Sequence, residues 1–232
     1  MATQLLPFDT SFTATLALTF KLAGLTTLIL CPIGLAFGAY LAFKNGVLKL
    51  VVETLIWMPL VLPPTVLGFY LLVLFAPTSP LGAFLQKFHI HLVFSFSGLV
   101  LASAIFSLPF MVNPIQNALK GLPKSLKEAS YTLGKGKIFT FFRVLLPNIK
   151  PALLMAATMT FAHTIGEFGV VMMVGGGLEG QTKVASIAIY TQAEANNFSL
   201  ANQYALTLSI LSFILLFGTL LLQKRWQAFY KF

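Results

Sequence analysis

The stretch EASYTLGKGKIFTFFRVLLP, from Glu128 to Pro147, indicates how the rest of the chain is organised. It is a polar, basic and helix-forming island between two long apolar segments. Glu128 is followed by the small residues Ala129 and Ser130, and then by Gly134. Small side chains and a flexible glycine let a short helix lie close to a groove on another protein. We interpret the island as a docking surface, because an ordinary basic loop would explain its lysines but not its other residues in this order.

The composition is that of an integral membrane protein. Hydrophobic residues make up 57% of the 232 residues and charged residues 9%, which leaves too little polar surface for a soluble globule. The net charge of +9 is not spread over one face, so it does not indicate nucleic-acid binding. Most basic residues lie in alternate gaps between apolar segments, which predicts that those gaps are cytoplasmic. They are Lys44, Lys49, Lys120, Lys124, Lys127, Lys135, Lys137, Arg143, Lys150, Lys224, Arg225 and Lys231, whereas the other gaps hold Lys87 and Lys183.

Five apolar segments are long enough to cross a bilayer, near 14–43, 51–75, 93–113, 150–174 and 202–222. The sequence thus predicts an all-α integral membrane protein with about five transmembrane helices. We expect a single domain over residues 1–232, with a cytoplasmic loop over about 115–149. An odd number of spans places the two ends on opposite sides of the membrane. The charge pattern then predicts an external N-terminus and a cytoplasmic C-terminus.

The island resembles the cytoplasmic EAA loop of the membrane subunits of ABC importers. That family's pattern is E-A-A, three residues, G, nine residues, I, one residue and L-P, and the spacing here matches throughout. Ser130 replaces the second alanine and Val144 replaces the isoleucine. The resemblance implies the type I ABC importer permease fold, in which this loop is the coupling helix that meets an ATPase. The coupling residues carried over are Glu128, Ala129, Ser130, Gly134 and Pro147, and the next membrane helix is expected to start near Pro147.

A second resemblance bears on the cargo. Gly166-Glu167-Phe168-Gly169 is followed by a glycine-rich loop and then by Ala-Ile-Tyr at 188–190. These segments recur in this order in permeases of the molybdate and tungstate importers, and sulfate permeases share the first. The resemblance implies an importer of an oxyanion and favours molybdate, with sulfate or tungstate as the alternatives. It also implies a homodimer in a bacterial plasma membrane, two cytoplasmic ABC ATPase subunits and an external oxyanion-binding protein.

The chain carries no recognisable catalytic machinery. It has no Walker A sequence, and its six acidic residues are scattered singly. We therefore expect a transport subunit that is not itself an enzyme and needs no cofactor. Cys31 is the single cysteine, and His89 and His91 lack an accompanying carboxylate, so a short loop or helix is expected there rather than a metal site. A stand-alone secondary transporter or channel is the alternative from another class, but it would have no ATPase to dock.

The second apolar segment contains three prolines between residues 59 and 64. Prolines expose backbone that lipid does not tolerate, so this part is expected to face the bundle interior. It either contacts the cargo or is only a structural kink, and the sequence leaves both open. Weak donors suit a pathway that must release an anion. The pathway candidates are Pro63, Pro64, Thr65, Ser103 and Thr164.

Lys21 and Glu167 are ionisable residues in the outer half of apolar segments. At 1.5 Å per helical residue, Lys21 lies roughly 33 Å above Phe43 and Glu167 roughly 25 Å above Lys150. Charges within a membrane are usually paired, so the similar depth predicts an ion pair between the two. In the alternative, Lys21 extends alone to the external surface and Glu167 bonds within its own helix region, for example to His163.

Overall fold

The computed structural model describes residues 10–229, with side chains described for residues 11–225. This part of the chain is helical and contains no strand. Its first half contains α1 (Thr10–Phe43), α2 (Val47–Val61), α3 (Pro64–Phe75), α4 (Pro80–Gln86) and α5 (Phe96–Gly121). The polar island follows as α6 (Lys124–Thr132), α7 (Lys137–Thr140), a π-helical turn (Phe141–Leu145) and α8 (Leu146–Asn148). The chain continues as α9 (Lys150–Gly166), α10 (Gly169–Gly175), α11 (Ala185–Glu194) and α12 (Phe198–Phe229).

Within residues 10–229, three helices are long and apolar enough to cross a membrane, namely α1, α5 and α12. The number rises to five if each of two bent pairs counts as one span. One pair is α2 with α3, bent by 113°, and the other is the segment Lys137–Asn148 with α9, bent by 73°. The all-α membrane fold predicted from the sequence is confirmed.

Two of the five predicted spans are not continuous helices. The segment 51–75 breaks between Val61 and Pro64, where two adjacent prolines cannot donate backbone hydrogen bonds. The segment 150–174 breaks at Glu167 and Phe168, which separate α9 from α10. Pro32, in contrast, lies inside α1 without ending it. Proline alone therefore did not indicate which helices break.

Helices α1, α5 and α9 pack around one buried interior. Gly34 and Gly38 of α1 let it approach α5 closely, since an added Cβ would lie 2.2 Å from the Met111 side chain and 2.7 Å from that of Ile115. Leu30 completes this contact and is buried. Helix α12 lies outside, and its most apolar window is only 11% buried. This exposed apolar surface is typical of a helix that faces lipid.

One end of the bundle collects the basic residues. The Lys127 ammonium lies 5.0 Å over the Phe43 ring, and Gln116 Nε2 donates to Glu53 Oε1 at 2.7 Å. These contacts bring together the C-terminal ends of α1 and α5, the start of α2, and α6. We call this the basic end, and it carries the residues of the predicted cytoplasmic gaps from Lys44 to Arg225. Lys231 lies outside the described residues.

The other end, which we call the distal end, carries α4, α11 and the glycine-rich loop. The stretch between Gly175 and Ala201, which we expected to be an external loop, contains the ten-residue helix α11, whose Ala185 and Ile187 are fully buried. Ala185 N donates to Thr19 Oγ1 at 2.8 Å, which ties this segment to α1. The hydropathy pattern of the sequence did not indicate this helix, because polar residues interrupt its apolar face. The His89 and His91 region follows α4, and no group of metal ligands lies among the described residues.

Candidate coupling surface and membrane groove

Helix α6 ends in a Schellman motif built on Gly134. The Gly134 amide donates to Tyr131 O at 2.9 Å, and the Lys135 amide donates to Ser130 O at 3.1 Å. This pairing needs a left-handed residue after the helix, and Gly134 has a φ of 71°. No atom lies within 4 Å of the site of an added Cβ. Glycine is therefore needed at this position for its backbone conformation, not for close approach to a neighbour in the same chain.

The coupling residues predicted on α6 do not all share one face. Glu128 and Ala129 are exposed, as a docking surface needs. Ser130 is buried, and its hydroxyl lies 2.8 Å from the Thr140 hydroxyl. Ser130 thus holds α6 against α7, and the prediction that its small size serves contact with another protein is corrected. The structural reason is that α7 folds back over the third residue of the motif.

Leu133 is a residue of this surface that sequence reasoning missed. It follows the last turn of α6 and is 76% exposed. An apolar side chain so exposed, one turn after Ala129, is suited to contact with another protein. The sequence shows an apolar residue directly before Gly134, but it does not indicate that the side chain of this residue points outward.

Pro147 lies in the bend that leads from the island into α9. It cannot donate a backbone hydrogen bond, and its ring would crowd the carbonyl four residues earlier. The chain widens into the π-helical turn just before it, where the Leu146 amide donates to Phe141 O. The membrane helix itself begins at Lys150, with Pro151 in its first turn. The membrane helix that was expected to start near Pro147 therefore begins three residues later, at Lys150.

The two helix breaks meet in an open groove of about 610 Å³. Pro64 and Thr65, at the start of α3, form one side, and the segment from Gly166 to Gly169 forms the other. The approach is close, because an added Cβ on Gly169 would lie 2.8 Å from Pro64 Cβ. Phe106 and His163 also line the groove. The two helix breaks therefore pack against each other. The start of α3 and the segment from Gly166 to Gly169 both line the same groove.

The remaining pathway candidates, Ser103, Thr164 and Pro63, do not line the groove. Ser103 and Thr164 are buried inside the subunit. Thr164 Oγ1 donates to Thr160 O at 2.9 Å and lies 3.1 Å from Ser107 Oγ. Pro63 is the N-cap residue of α3 and precedes the groove residues. Pro64 and Thr65 are exposed, so they do not face the interior of a single subunit as expected.

The predicted ion pair between Lys21 and Glu167 is not formed. Lys21 is exposed, and its ammonium lies 5.0 Å over the Phe96 ring. Glu167 is only 4% exposed. The ion pairs among the described residues are Lys49 with Glu53 and Lys183 with Glu179. Similar depth did not predict a contact, because Lys21 is exposed on α1 whereas Glu167 is buried in the break after α9.

The Glu167 carboxyl is buried without a hydrogen-bond partner among the described residues. Ser103 faces it, but its hydroxyl does not reach hydrogen-bond geometry. His163 does not bond to Glu167 either, since its Nδ1 lies 2.9 Å from Ser107 Oγ and its ring stacks on Phe110. Leaving an ionised carboxylate unpaired in such a place costs several kcal/mol.

The two sequence segments that carried the second resemblance contact each other. Ser186 Oγ donates to Glu167 O at 2.6 Å, and the rings of Phe168 and Tyr190 lie 4.9 Å apart. The Tyr190 hydroxyl donates to the Glu194 carboxylate at 2.5 Å, and this acceptor raises the pKa of Tyr190. The break between α9 and α10 is therefore held from the distal end by α11.

Comparisons with known proteins agree with this architecture. The family model described as the inner membrane component of binding-protein-dependent transport systems matches residues 34–228. The molybdenum transport system permease protein ModB of Azotobacter vinelandii is 40% identical over 224 residues, which are 96% of this chain and 99% of that protein. The sulfate transport system permease protein CysT of Salmonella typhimurium is 32% identical over 177 residues, which are 76% of this chain and 64% of that protein.

Among solved structures, an inward-facing form of the MetNI methionine ABC transporter contains a chain with a similar fold. The TM-score is 0.75 at 19% sequence identity, and the match covers 97% of this chain and 99% of that chain. At this identity the likeness shows the fold alone.

Proposed function

Because the chain belongs to the family of inner membrane components of binding-protein-dependent transport systems, we propose that it is the membrane-spanning subunit of an ATP-driven molybdate importer. The observation that carries this proposal is the similarity to ModB over nearly the whole of both chains. The two resembling segments, at 166–169 and 188–190, also contact each other in the fold. Sulfate is the second candidate cargo, because CysT is also similar over most of this chain.

Helix α6 supplies the contact through which ATP hydrolysis drives transport. Glu128, Ala129 and Leu133 form an exposed surface at the basic end, and this surface docks on a separate ATPase subunit. The chain has no Walker A motif of its own. The Schellman motif at Gly134 and the Ser130–Thr140 contact keep α6 rigid relative to α7. A movement of the ATPase is thereby passed to the bend at Pro147 and on to α9.

Energy input is needed because the cargo is a dianion. Entry into a cell with a negative interior costs about 2.3 kcal/mol per charge for each 100 mV, and thus about 4.6 kcal/mol for a dianion. A pathway that releases its ion should contain few fixed cations. The groove between the two helix breaks fits this description, since none of its described lining residues is a lysine or arginine, and its polar side chains are those of Thr65, His163 and Glu167.

The groove is open on one side in the single subunit, and a second copy of the chain closes it in the proposed assembly. The partners are a second copy, two ATPase subunits at the basic end, and an external binding protein at the distal end. In the bacterial inner membrane, the positive-inside rule places the basic end in the cytoplasm. The N-terminus then lies outside the cell and the C-terminus inside.

Competitive uptake tests the cargo. The complete transporter in proteoliposomes should take up radioactive molybdate, and unlabelled tungstate should compete more strongly than sulfate. Sulfate competition equal to that of molybdate would instead favour the sulfate permease assignment. Uptake without ATP or without an ATPase subunit would contradict the whole proposal and favour a secondary transporter.

A charge reversal tests the docking surface. Glu128→Lys should abolish co-purification with the ATPase subunit, because it removes an exposed acid from the docking surface of α6. Glu179→Lys is the matched control, since it makes the same change at the distal end, where Glu179 is exposed. Equal retention of the ATPase by both variants would show that α6 is not the docking element.

A further inference from the structure

The length of α1 sets the level of the membrane interface. Between Lys21 and Lys44 lie 22 residues without a charge, and at 1.5 Å per residue they extend about 33 Å. This matches the hydrocarbon core of a bilayer, which is about 30 Å thick. Phe43 and Lys44 therefore lie at the headgroup level of the basic end.

The segment Lys137–Asn148 lies close to the plane of that interface. It is inclined by 73° to α9, and α9 belongs to the membrane bundle with α1 and α5. Ile138 is 78% exposed and Phe142 is 55% exposed. The same segment carries Lys137 and Arg143. A helical segment with exposed apolar side chains beside basic ones, lying across the bundle axis, is typical of an interfacial helix.

A pocket of about 420 Å³ opens where this segment meets the end of α1 and α6. Lys44, Lys127 and Lys137 line it, together with apolar surface that includes Phe43 and Phe142. None of the three lysines takes part in an ion pair among the described residues. Lys127 is held by ring contacts instead, over Phe43 and Tyr131. The pocket therefore offers cationic groups next to an apolar wall.

We propose that this pocket, at the membrane interface of the basic end, binds an acidic phospholipid such as phosphatidylglycerol. The phosphate of the headgroup contacts Lys44 and Lys137, and an acyl chain passes along Phe142. Basic pockets between membrane helices are suited to anionic headgroups. A free oxyanion would use only the lysines, whereas an acidic lipid uses both the lysines and the exposed aromatic wall. The lipid is therefore the occupant that fits the whole pocket.

Fluorescence quenching by brominated lipid tests the site directly. Trp57 and Trp226 are the two tryptophans of the chain, so a W57F/W226F background with Phe142→Trp reports on one position. The full-length protein is placed in phosphatidylcholine nanodiscs that contain equal amounts of brominated phosphatidylglycerol or brominated phosphatidylcholine. We expect a preference for the acidic lipid of roughly fivefold for each lysine that contacts it.

Two controls separate the site from general lipid contact. Phe217→Trp, on the exposed face of α12, should be quenched equally by both lipids. K44Q/K137Q should remove the preference at position 142, whereas K87Q/K183Q, with the same charge change at the distal end, should keep it. Each variant is purified by size exclusion before the measurement, because emission from unfolded protein would lower the ratio between the two lipids. If K44Q/K137Q does not fold, K137Q alone should reduce the preference.

Three results would overturn the proposal. One is equal quenching by the two lipids at position 142, and another is a preference that survives in both K44Q/K137Q and K137Q. The third is loss of the preference on adding molybdate or inorganic phosphate at constant ionic strength. That last result would identify a site for free anions at the cytoplasmic surface.

Discussion

The contacts of the Glu167 side chain depend on its direction around the helix axis as well as on its depth in the membrane. The sequence predicted that Glu167 and Lys21 lie in the outer half of the membrane, but counting residues along a helix gives no angle around it. Leu22 and Ala23 are fully buried, so their neighbour Lys21 points away from the interior. Glu167 lies in the break after α9 and points inward. Their separation could not be derived from spacing alone.

A double-mutant cycle should therefore show no coupling between these residues. In detergent, the changes in thermal stability caused by Lys21→Met and Glu167→Gln should add within about 0.5 kcal/mol. Glu167→Gln alone should leave stability nearly unchanged, because an amide of similar size replaces a buried carboxyl that has no hydrogen-bond partner among the described residues. A coupling energy above about 1 kcal/mol would indicate that the two groups meet in the assembled protein.

Gly134 provides a second test at a single residue. Gly134→Ala should destabilise the end of α6 by about 1–2 kcal/mol, because alanine resists the left-handed conformation. ATPase stimulation by the reconstituted complex should fall with it. Gly136→Ala is the control, since Gly136 has a φ of −72° and open space around it. Gly134→Asn should retain more activity than Gly134→Ala, because asparagine tolerates this conformation. Equal loss in the alanine variants at 134 and 136 would argue against the Schellman motif as the cause.

At the scale of elements, the two broken helices form one structural unit. The Pro63-Pro64 pair marked the first break in the sequence, because two adjacent prolines cannot continue a hydrogen-bonded helix. The second break, at Glu167 and Phe168, was not predicted. Gly166 and Gly169 flank it, but glycines also occur inside continuous membrane helices. The contact between α3 and α10 depends on Gly68 and Gly169. The close approach of these two helices is a tertiary contact, which a single sequence does not reveal.

Gly169→Ala should separate α3 from α10. The added methyl group would meet Pro64 Cβ at 2.8 Å, and overpacking of this kind costs about 1–3 kcal/mol. Thermal unfolding in detergent should show this loss, and molybdate uptake should fall. Gly24→Ala is the control inside α1, where nothing lies within 4 Å of the new methyl group. If both variants unfold at the same temperature, the two breaks are not packed as described.

For the whole molecule, charge sorting predicted correctly which parts share an end. Lysines and arginines are costly in the bilayer core, so their positions mark the ends of spans even where helices bend or break. The number of continuous helices was harder to predict. Helix α11 and the interfacial segment after Lys137 mix apolar and polar residues, and hydropathy cannot distinguish such segments from loops or from parts of a span. Their positions depend on contacts with α1 and α6.

Thiol labelling tests the orientation of the ends. In a background with Cys31→Ser, a cysteine in place of Thr78 should react with an impermeant reagent added to intact cells. One in place of Ser125 should react only after the cells are opened. Both positions are exposed. Ser79 is less suitable than Thr78, because its hydroxyl caps α4 through Gly82 N. The reverse labelling pattern would place the basic end outside and contradict the proposed topology.

The contact between Thr19 and Ala185 joins residues 166 positions apart in the chain, and this bears on biogenesis. At about 5–20 residues per second, a ribosome needs on the order of ten seconds or more to reach the second partner after making the first. During that interval α1 can pack against α5, which is made earlier, but its contact with α11 remains unmade. The helix that is inserted first is thus among the last to complete its contacts, because its bond to Ala185 must wait until that residue has been made.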